Sequence, residues 1–336
     1  MKITPLLIET LRILRDENTF ISLNNLIKKL SKFKPNTRTL QKELKQLVDT
    51  NRIIVQGQAS KTEYAINEII SNYRRYEFIY VFKDNEIAGV FFKLNDRYRF
   101  YYENDFLINK SKGIPTLSLQ IEHFDFENIP AVFEENIPEG INREILETTS
   151  KTADEFHILT MLEDNIGDLH FSKTKDIQNI TSANPGYLTS LNEILGSNSK
   201  INVLKDFVVD IEDSLLFPDG YDISKQEMKK AHGISGFKYK KLINIDFEYK
   251  SIKLDDSVHA YILKPYSKPK ANKDNDNYFP HISLNEHLFM SFAKNTLDFR
   301  VPYSAIVKNE KDDEFHYIVK RFDRLGLHRY AKSTFA

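Results

Sequence analysis

Two charged residues near the C-terminal end of the sequence have the types and the spacing that phosphate binding requires. Lys264 follows an apolar run, Ala260–Leu263, and precedes Pro265, whereas Glu286 lies near the start of an apolar-periodic segment, 284–295. A lysine at the end of a strand can pair with phosphates, and a carboxylate on a neighbouring helix can hold it in place. An edge lysine exposed to water and an acidic residue in a first helical turn are the ordinary alternatives.

A second candidate segment, His232–Lys241, precedes an apolar strand-like run. Its residues Gly233, Ser235, Gly236 and Lys240 combine backbone freedom, a hydroxyl and a charge. Glycines let backbone N–H groups approach phosphates, and lysines supply positive charge. Short runs of this kind are more often plain turns, and the segment matches neither GxGxxG nor a Walker A motif.

The third candidate, Arg321–Arg324, follows the strand-like run His316–Lys320. A strand, a helix and a strand in this order form the upper wall of the ATP site in protein kinases. Lys320, Phe322 and Asp323 then lie where backbone groups would hold adenine and a carboxylate would hold ribose. A salt-bridged strand end is the alternative. The histidines show no ligand spacing, so no metal site is predicted.

Composition excludes several classes of protein. The 336 residues contain no cysteine, which excludes disulfides and thiolate metal sites and fits a cytoplasmic location. No apolar run approaches the length of a membrane span, and no signal peptide is present. The net charge is −1, but residues 1–66 carry twelve Lys or Arg against six Asp or Glu, which is +6. A basic segment followed by an acidic remainder suggests two functions.

Residues 1–66 are predicted to form a winged helix-turn-helix. Three amphipathic segments contain Leu7–Leu14, Leu23–Leu30 and Leu40–Val48, and two β-like runs, Ile53–Val55 and Tyr64–Ile66, flank a polar turn. In this motif the third helix enters the major groove and the hairpin contacts the backbone of DNA. The predicted DNA-binding residues are Thr37, Arg38, Gln41, Lys42, Lys45 and Lys61. An interaction module with solvated lysines is the alternative.

The rest of the chain predicts an α+β protein with two further domains. Aromatic and β-branched runs at Phe78–Phe82, Val90–Lys93 and Tyr98–Tyr102 are typical of strands, and Phe156–Glu163 is typical of a helix. Residues 181–232 favour loop and helix. The expected domains are 1–68, 76–180 and 181–336.

Short motifs in a fixed order resemble the HipA family, the serine/threonine kinase toxins of toxin–antitoxin modules. The motifs include NEIAG from Asn85, YRFYY from Tyr98, Pro138-Glu139-Gly140 with Arg143, and Asp164 with Gly167. They continue with ISGFKYK from Ile234, ILKP from Ile262, Asn285-Glu286, Val301-Pro302 and RFDR from Arg321. The resemblance covers roughly residues 76–336.

The resemblance implies a β-rich HipA-type N-terminal subdomain followed by a kinase-like small lobe that binds ATP. It implies that Gly233–Lys240 is the phosphate loop, that Ser235 is the candidate for autophosphorylation and that Lys264 is the ATP lysine. Lys320 to Asp323 would be the hinge. Gly233 and Lys238 stand where the family has a serine and a glutamine.

The same resemblance predicts that the large lobe is absent. The family's catalytic Asp and its magnesium ligands follow RFDR, and the sequence ends at Ala336, so no catalytic residue is assigned and the chain is expected to be inactive alone. The main hypothesis is the N-terminal part of a HipA-like kinase that binds operator DNA, with an antitoxin or a separately encoded large lobe as partner. The alternatives are a non-catalytic DNA-binding regulator that docks on a partner kinase, and an inactive remnant.

Overall fold

The structure is a computed structural model of the full chain. It describes residues 3–162, 165–176, 202–211, 239–253, 260–266, 281–299, 301–308, 314–321, 323–325 and 328–329. The chain divides into two compact units. The first comprises residues 1–134 and 170–176, and the second comprises residues 135–169 and 177–336. The mixture of helices and sheets is the predicted α+β class.

The first unit begins with three helices and a small sheet. The helices are α1 (Pro5–Glu17), α2 (Leu23–Lys29) and α3 (Thr37–Asp49), and the strands are β1 (Ile21–Ser22), β2 (Ile53–Gln56) and β3 (Glu63–Ile66). The strands form an antiparallel sheet in the order β1-β3-β2. Leu11, Leu40 and Leu47 are completely buried between these elements. The three predicted helices and the predicted hairpin are therefore present, and β1 is an addition that the sequence pattern did not indicate.

Local residue chemistry explains where these helices begin. Thr4, Ser22 and Asn36 each accept a hydrogen bond from a backbone N–H in the first turn of α1, α2 and α3. Side-chain caps of this kind satisfy donors that a helix leaves unpaired at its start. Each of these helices therefore begins directly after a residue whose side chain accepts from its first turn.

A five-stranded sheet forms the rest of the first unit. Its strands are β4 (Glu77–Lys83), β5 (Glu86–Lys93), β6 (Tyr98–Tyr102), β7 (Phe124–Phe126) and β8 (Leu169–Ser172), in the order β7-β6-β5-β4-β8. The helices α4 (Asn104–Asn109) and α5 (Ala131–Glu134) accompany the sheet. Asp84 and Asn85 both have positive φ angles, of 48° and 68°, as a tight turn between β4 and β5 requires. The three aromatic runs that the sequence predicted as strands are confirmed.

The second unit contains a seven-stranded sheet. Its strands are β9 (Val203–Leu204), β10 (Val208–Asp210), β11 (Lys241–Asp246), β12 (Ser251–Lys253), β13 (Tyr261–Lys264), β14 (Ser304–Lys308) and β15 (Phe315–Lys320), in the order β10-β12-β11-β13-β15-β14-β9. The sheet is antiparallel from β12 to β14 and parallel at both edges. One face carries the core, which includes Tyr261, Leu263 and Ile318.

The described residues of the second unit include the helices α6 (Gly140–Ser150), α7 (Glu155–Leu159) and α8 (Ile282–Asn295). A two-stranded ribbon of β16 (Arg324–Leu325) and β17 (His328–Arg329) follows the sheet. The helix predicted at 156–163 is shorter than expected, since α7 ends at Leu159. Further along the chain, Leu169–Ser172 forms strand β8. Within residues 202–211, which were expected to be loop or helix, β9 and β10 are strands.

Candidate functional site

The predicted pair of Lys264 and Glu286 is formed. The Lys264 ammonium donates a hydrogen bond to Glu286 Oε2, from the end of β13 to the second turn of α8. The two side chains are only 23% and 30% exposed, so water screens the pair weakly. The Lys264 ammonium also lies 5.5 Å from the centre of the Tyr317 ring on β15. The ammonium therefore has a fixed position on one face of the sheet.

A second lysine is close to this pair. Lys240 lies one residue before β11. Extending the antiparallel register of β11 and β13 by one residue places Lys240 opposite Lys264, on the same face of the sheet. Burial and, to a smaller extent, the neighbouring Lys264 lower the pKa of Lys240, and Glu286 and Glu139 oppose them, which leaves it at about 8. The two ammonium groups, with these carboxylates beside them, form a partly buried charged patch in which the ammonium groups can contact phosphates.

The backbone at Lys240 is held by a family motif that precedes it. Asn142 on α6 donates its amide N–H to the Lys240 carbonyl oxygen at 3.3 Å. Arg143, in the same motif, bridges Glu147 and Glu155 at 2.7 and 3.1 Å and so ties α6 to α7. Residues of the Pro138–Arg143 motif therefore support the sheet rather than supply a reactive group.

The hinge candidates Lys320 and Asp323 do not join this patch. Lys320 pairs with Tyr261 across β13 and β15, so its side chain lies on the face opposite Lys264. Burial lowers the pKa of Lys320, and its backbone N–H donates to the Tyr303 oxygen at 2.8 Å. The sheet therefore lies between the Lys320 side chain and the Lys264–Glu286 pair.

Asp323 forms a buried ion pair with Arg321. The guanidinium donates from Nε to Oδ1 at 3.0 Å and from Nη2 to Oδ2 at 2.8 Å. The Gly167 N–H also donates to Oδ2 at 2.9 Å, and Arg321 Nη2 donates to the Asn165 oxygen at 2.8 Å. Both carboxylate oxygens are therefore used inside the protein. This arrangement favours the salt-bridged strand end over a carboxylate that holds ribose.

Comparison with protein families agrees with this architecture. The HipA N-terminal domain matches residues 79–172, and the HipA-like C-terminal domain matches residues 232–336. The two domains follow one another in this order and together span more than half of the chain. The chain belongs to the HipA-type kinase family. None of the curated proteins matches the chain.

The HipA-type family implies use of ATP, and this gives the Lys264–Glu286 pair a candidate role. In kinases, such a pair holds the lysine that contacts the ATP phosphates. The predicted loop residues Gly233, Ser235 and Gly236, and the hinge residue Phe322, lie outside the residues that the structure describes. Of the predicted nucleotide-binding residues, Lys240, Lys264 and Glu286 are therefore the ones found together.

The predicted DNA-contacting residues of the HipA-type chain are all exposed. Five of them lie on the exposed side of α3, opposite its buried residues Leu40, Leu44 and Leu47, and they are Thr37, Arg38, Gln41, Lys42 and Lys45. Lys61 is exposed in the turn between β2 and β3. A basic outer face on the third helix is the geometry that groove binding requires.

The described parts of the HipA-type chain contain neither a cluster of metal-binding side chains nor a helix suited to crossing a membrane. No group of three or more His, Asp or Glu side chains within them is arranged to hold a metal ion. None of the helices described combines the length and the apolar character that crossing a bilayer requires.

Several residues around the Lys264–Glu286 pair of the HipA-type chain could not be singled out from the sequence. They are Asn142, Ser283, His287, Ser304 and Tyr317. The sequence signal that could have identified some of them is a polar residue at alternate positions of an apolar strand, as at Ser304 and Tyr317. Their roles depend on partners that are distant in sequence.

Proposed function

We propose that the chain binds ATP at the patch formed by Lys240, Lys264 and Glu286. The observation that carries this proposal is the hydrogen-bonded Lys264–Glu286 pair, in the order and on the elements that kinases use. Lys264 would contact the phosphates, Glu286 would keep its ammonium aimed at them, and Lys240 would add a second positive charge. Ser235 and its neighbours Gly233 and Gly236 are proposed as the loop over the phosphates, and Phe322 as part of the hinge.

In this proposal the chain is the N-terminal part of a HipA-like serine/threonine kinase toxin. ATP would supply the phosphoryl group when bound, and Ser235 is the proposed acceptor in autophosphorylation. No catalytic base and no metal ligand is assigned to a residue of this chain. Positioning and charge stabilisation dominate phosphoryl transfer, so the role of Lys264 and Lys240 is to bind and orient the phosphates.

Replacing Lys264 by methionine is expected to weaken ATP binding about 10- to 100-fold, because a charge-assisted hydrogen bond contributes about 1.5–3 kcal/mol. Methionine keeps the apolar stem and removes the charge. Isothermal titration of the purified chain with ATP and magnesium measures the affinity. Lys253→Met, at an exposed lysine of β12 in the same sheet, is the matched control and should bind ATP as the unaltered chain does. Equal affinities for the two variants would remove Lys264 from the site.

The second part of the proposal is that residues 1–68 are a winged helix that binds operator DNA. The support is the exposed basic face of α3 together with the hairpin of β2 and β3. Arg38 and Gln41 are proposed to read base edges, and Lys42, Lys45 and Lys61 to contact phosphates. An antitoxin, or a separately encoded kinase large lobe, is the proposed protein partner.

Combining Arg38→Ala with Lys42→Ala is expected to weaken operator binding by at least about tenfold, because one base contact is worth about 1–3 kcal/mol. The slope of log K against log salt concentration should become shallower by about 1 for the lost phosphate contact. Fluorescence anisotropy at several salt concentrations measures both quantities. Arg97→Ala with Lys112→Ala removes the same charges from exposed positions outside the winged helix. Unchanged affinity and slope in the α3 variant would refute the assignment.

A non-catalytic regulator remains the second candidate function. It is favoured by exposed apolar side chains on α8, Leu288, Phe289 and Phe292, which suit docking on another protein. Such a regulator would bind DNA through α3 and restrain a partner HipA-type kinase. Co-purification with a kinase, without ATP binding by this chain, would favour it over the first candidate.

A further inference from the structure

The fully buried side chains of helix α8 are polar. They are Ser283 and His287, whereas the apolar residues of the helix are half-buried or exposed, and Phe289 and Phe292 are 73% and 51% exposed. A fully buried apolar face normally fixes the rotation of a helix about its axis, and α8 has no such face. Directional hydrogen bonds therefore contribute to the rotation of α8. That rotation decides whether Glu286 can reach Lys264.

His287 makes the central contacts of this polar interface. The residue is fully buried, and its Nε2 accepts a hydrogen bond from the Asn202 backbone N–H at 3.0 Å. A backbone N–H can only donate, so Nε2 carries no proton and the neutral ring carries its proton on Nδ1. Nδ1 lies 3.0 Å from Ser304 Oγ and must therefore donate to it. The Asn202 backbone N–H, which can only donate, therefore sets the direction of both hydrogen bonds of the His287 ring.

The His287 contacts also reach the aromatic residue that faces Lys264. Ser304, which accepts from His287, lies diagonally across β14 and β15 from Tyr317, on the same face. The centres of the His287 and Tyr317 rings are 6.3 Å apart, and burial raises the pKa of Tyr317 while the Ser304 hydroxyl opposes that shift. The Tyr317 ring is the one that faces the Lys264 ammonium. Asn202 also donates its amide N–H to the Ser304 carbonyl oxygen at 3.0 Å, which fixes β14 at the same point.

The first turn of α8 has a separate anchor. Ser283 Oγ lies 3.1 Å from the Lys264 carbonyl oxygen and 3.2 Å from the Pro265 carbonyl oxygen, to which it donates. Ser283, Glu286 and His287 are three and four residues apart, so they lie on one side of the helix. Ser283 fixes the start of the helix, His287 fixes its rotation, and Glu286 is held between them.

We propose that His287, through Ser304 and Tyr317, is a positioning residue that sets the rotation of α8 and so keeps Glu286 paired with Lys264. This inference rests on the proposed nucleotide site. His287 itself contacts neither ion of the pair through a hydrogen bond in the described part of the chain. A buried histidine whose two ring nitrogens both have hydrogen-bond partners favours one arrangement where apolar contacts would permit several.

The test replaces His287 by phenylalanine, which keeps a ring but makes neither hydrogen bond. ATP binding should become about tenfold weaker, within the range by which positioning networks modulate a site. In a Lys264→Met background the same substitution should change the ATP affinity less than twofold, because the two residues act through one pair. His287→Gln, which can still accept from Asn202, should recover part of the affinity. His281→Phe, at an exposed position just before α8, is the matched control.

A second measurement does not require nucleotide. Nitrogen-15 NMR of the His287 ring should show the tautomer with its proton on Nδ1, and burial lowers its pKa to about 4, so the ring should stay neutral at pH 5.5 and above. A crystal structure of His287→Phe should show the Glu286 carboxylate withdrawn from Lys264. The proposal is overturned by a proton on Nε2, or by an intact pair and unaltered ATP affinity in His287→Phe. Loss of ATP affinity in Lys264→Met with none in His287→Phe would leave the proposed function standing and remove this inference alone.

Discussion

Replacing Asp323 by alanine is expected to lower the free energy of unfolding of the second unit by about 3–5 kcal/mol, the usual cost of breaking a buried ion pair. The residue is 1% exposed and Arg321 is 3% exposed, so water cannot replace the lost carboxylate. The alanine variant would leave the guanidinium charged in a buried position and would remove the acceptor of the Gly167 N–H. Hydrogen–deuterium exchange, followed by mass spectrometry, measures the loss within each unit separately.

Two comparisons make this prediction specific. Asp210→Ala removes an exposed carboxylate at the end of β10 in the same unit and should change the stability by less than about 0.5 kcal/mol. Combining Arg321→Met with Asp323→Leu removes both charges and should cost less than Asp323→Ala alone, because the buried guanidinium is removed together with its carboxylate. If Asp323→Ala were no more damaging than Asp210→Ala, the pair would have no structural role and a ligand-binding role for Asp323 would regain support.

This prediction shows what a motif in a sequence does and does not reveal. The order of ILKP, Asn285-Glu286 and RFDR predicted a strand, a helix and a strand, and the elements β13, α8 and β15 confirm it. The pattern also predicted that Glu286 pairs with Lys264, but it could not tell that Asp323 points into the protein. The orientation of Asp323 depends on Asn165 and Gly167, more than 150 residues earlier in the chain.

The helical pattern of α8 was informative about its extent and uninformative about its orientation. Its period of apolar residues predicted a helix at 284–295, and the helix is found at Ile282–Asn295. Apolar periodicity normally identifies the buried face. In α8 the buried residues are instead Ser283 and His287, which satisfy their hydrogen bonds with neighbouring strands. Partners of this kind are set by the tertiary structure and leave no local pattern.

Arg52 is a further residue that no motif singles out, although the first unit depends on it. It follows α3 and is completely buried. Its Nε donates to the Ile121 oxygen at 2.9 Å, and its Nη1 donates to Asn104 Oδ1 at 3.1 Å and to the Tyr102 oxygen. These acceptors lie 50 to 69 residues further along the chain. One guanidinium therefore joins the three-helix segment to the five-stranded sheet.

Arg52→Met is expected to destabilise the first unit by about 3–5 kcal/mol, because two buried carbonyl oxygens and an amide oxygen lose their donor at about 1–3 kcal/mol each. Burial lowers the pKa of Arg52 to about 10, and the nearby Glu103 opposes this shift, so the charge is retained at neutral pH. Hydrogen exchange should show lost protection in both α3 and β6, since the guanidinium connects them. The matched control is Arg15→Met, which removes an exposed bridge of 3.1 Å from α1 to Asp105 on α4. Exposed pairs contribute about 0–1 kcal/mol, so Arg15→Met should be nearly neutral. Equal losses in the two variants, or a loss confined to α3, would show that Arg52 does not fasten the helices to the sheet.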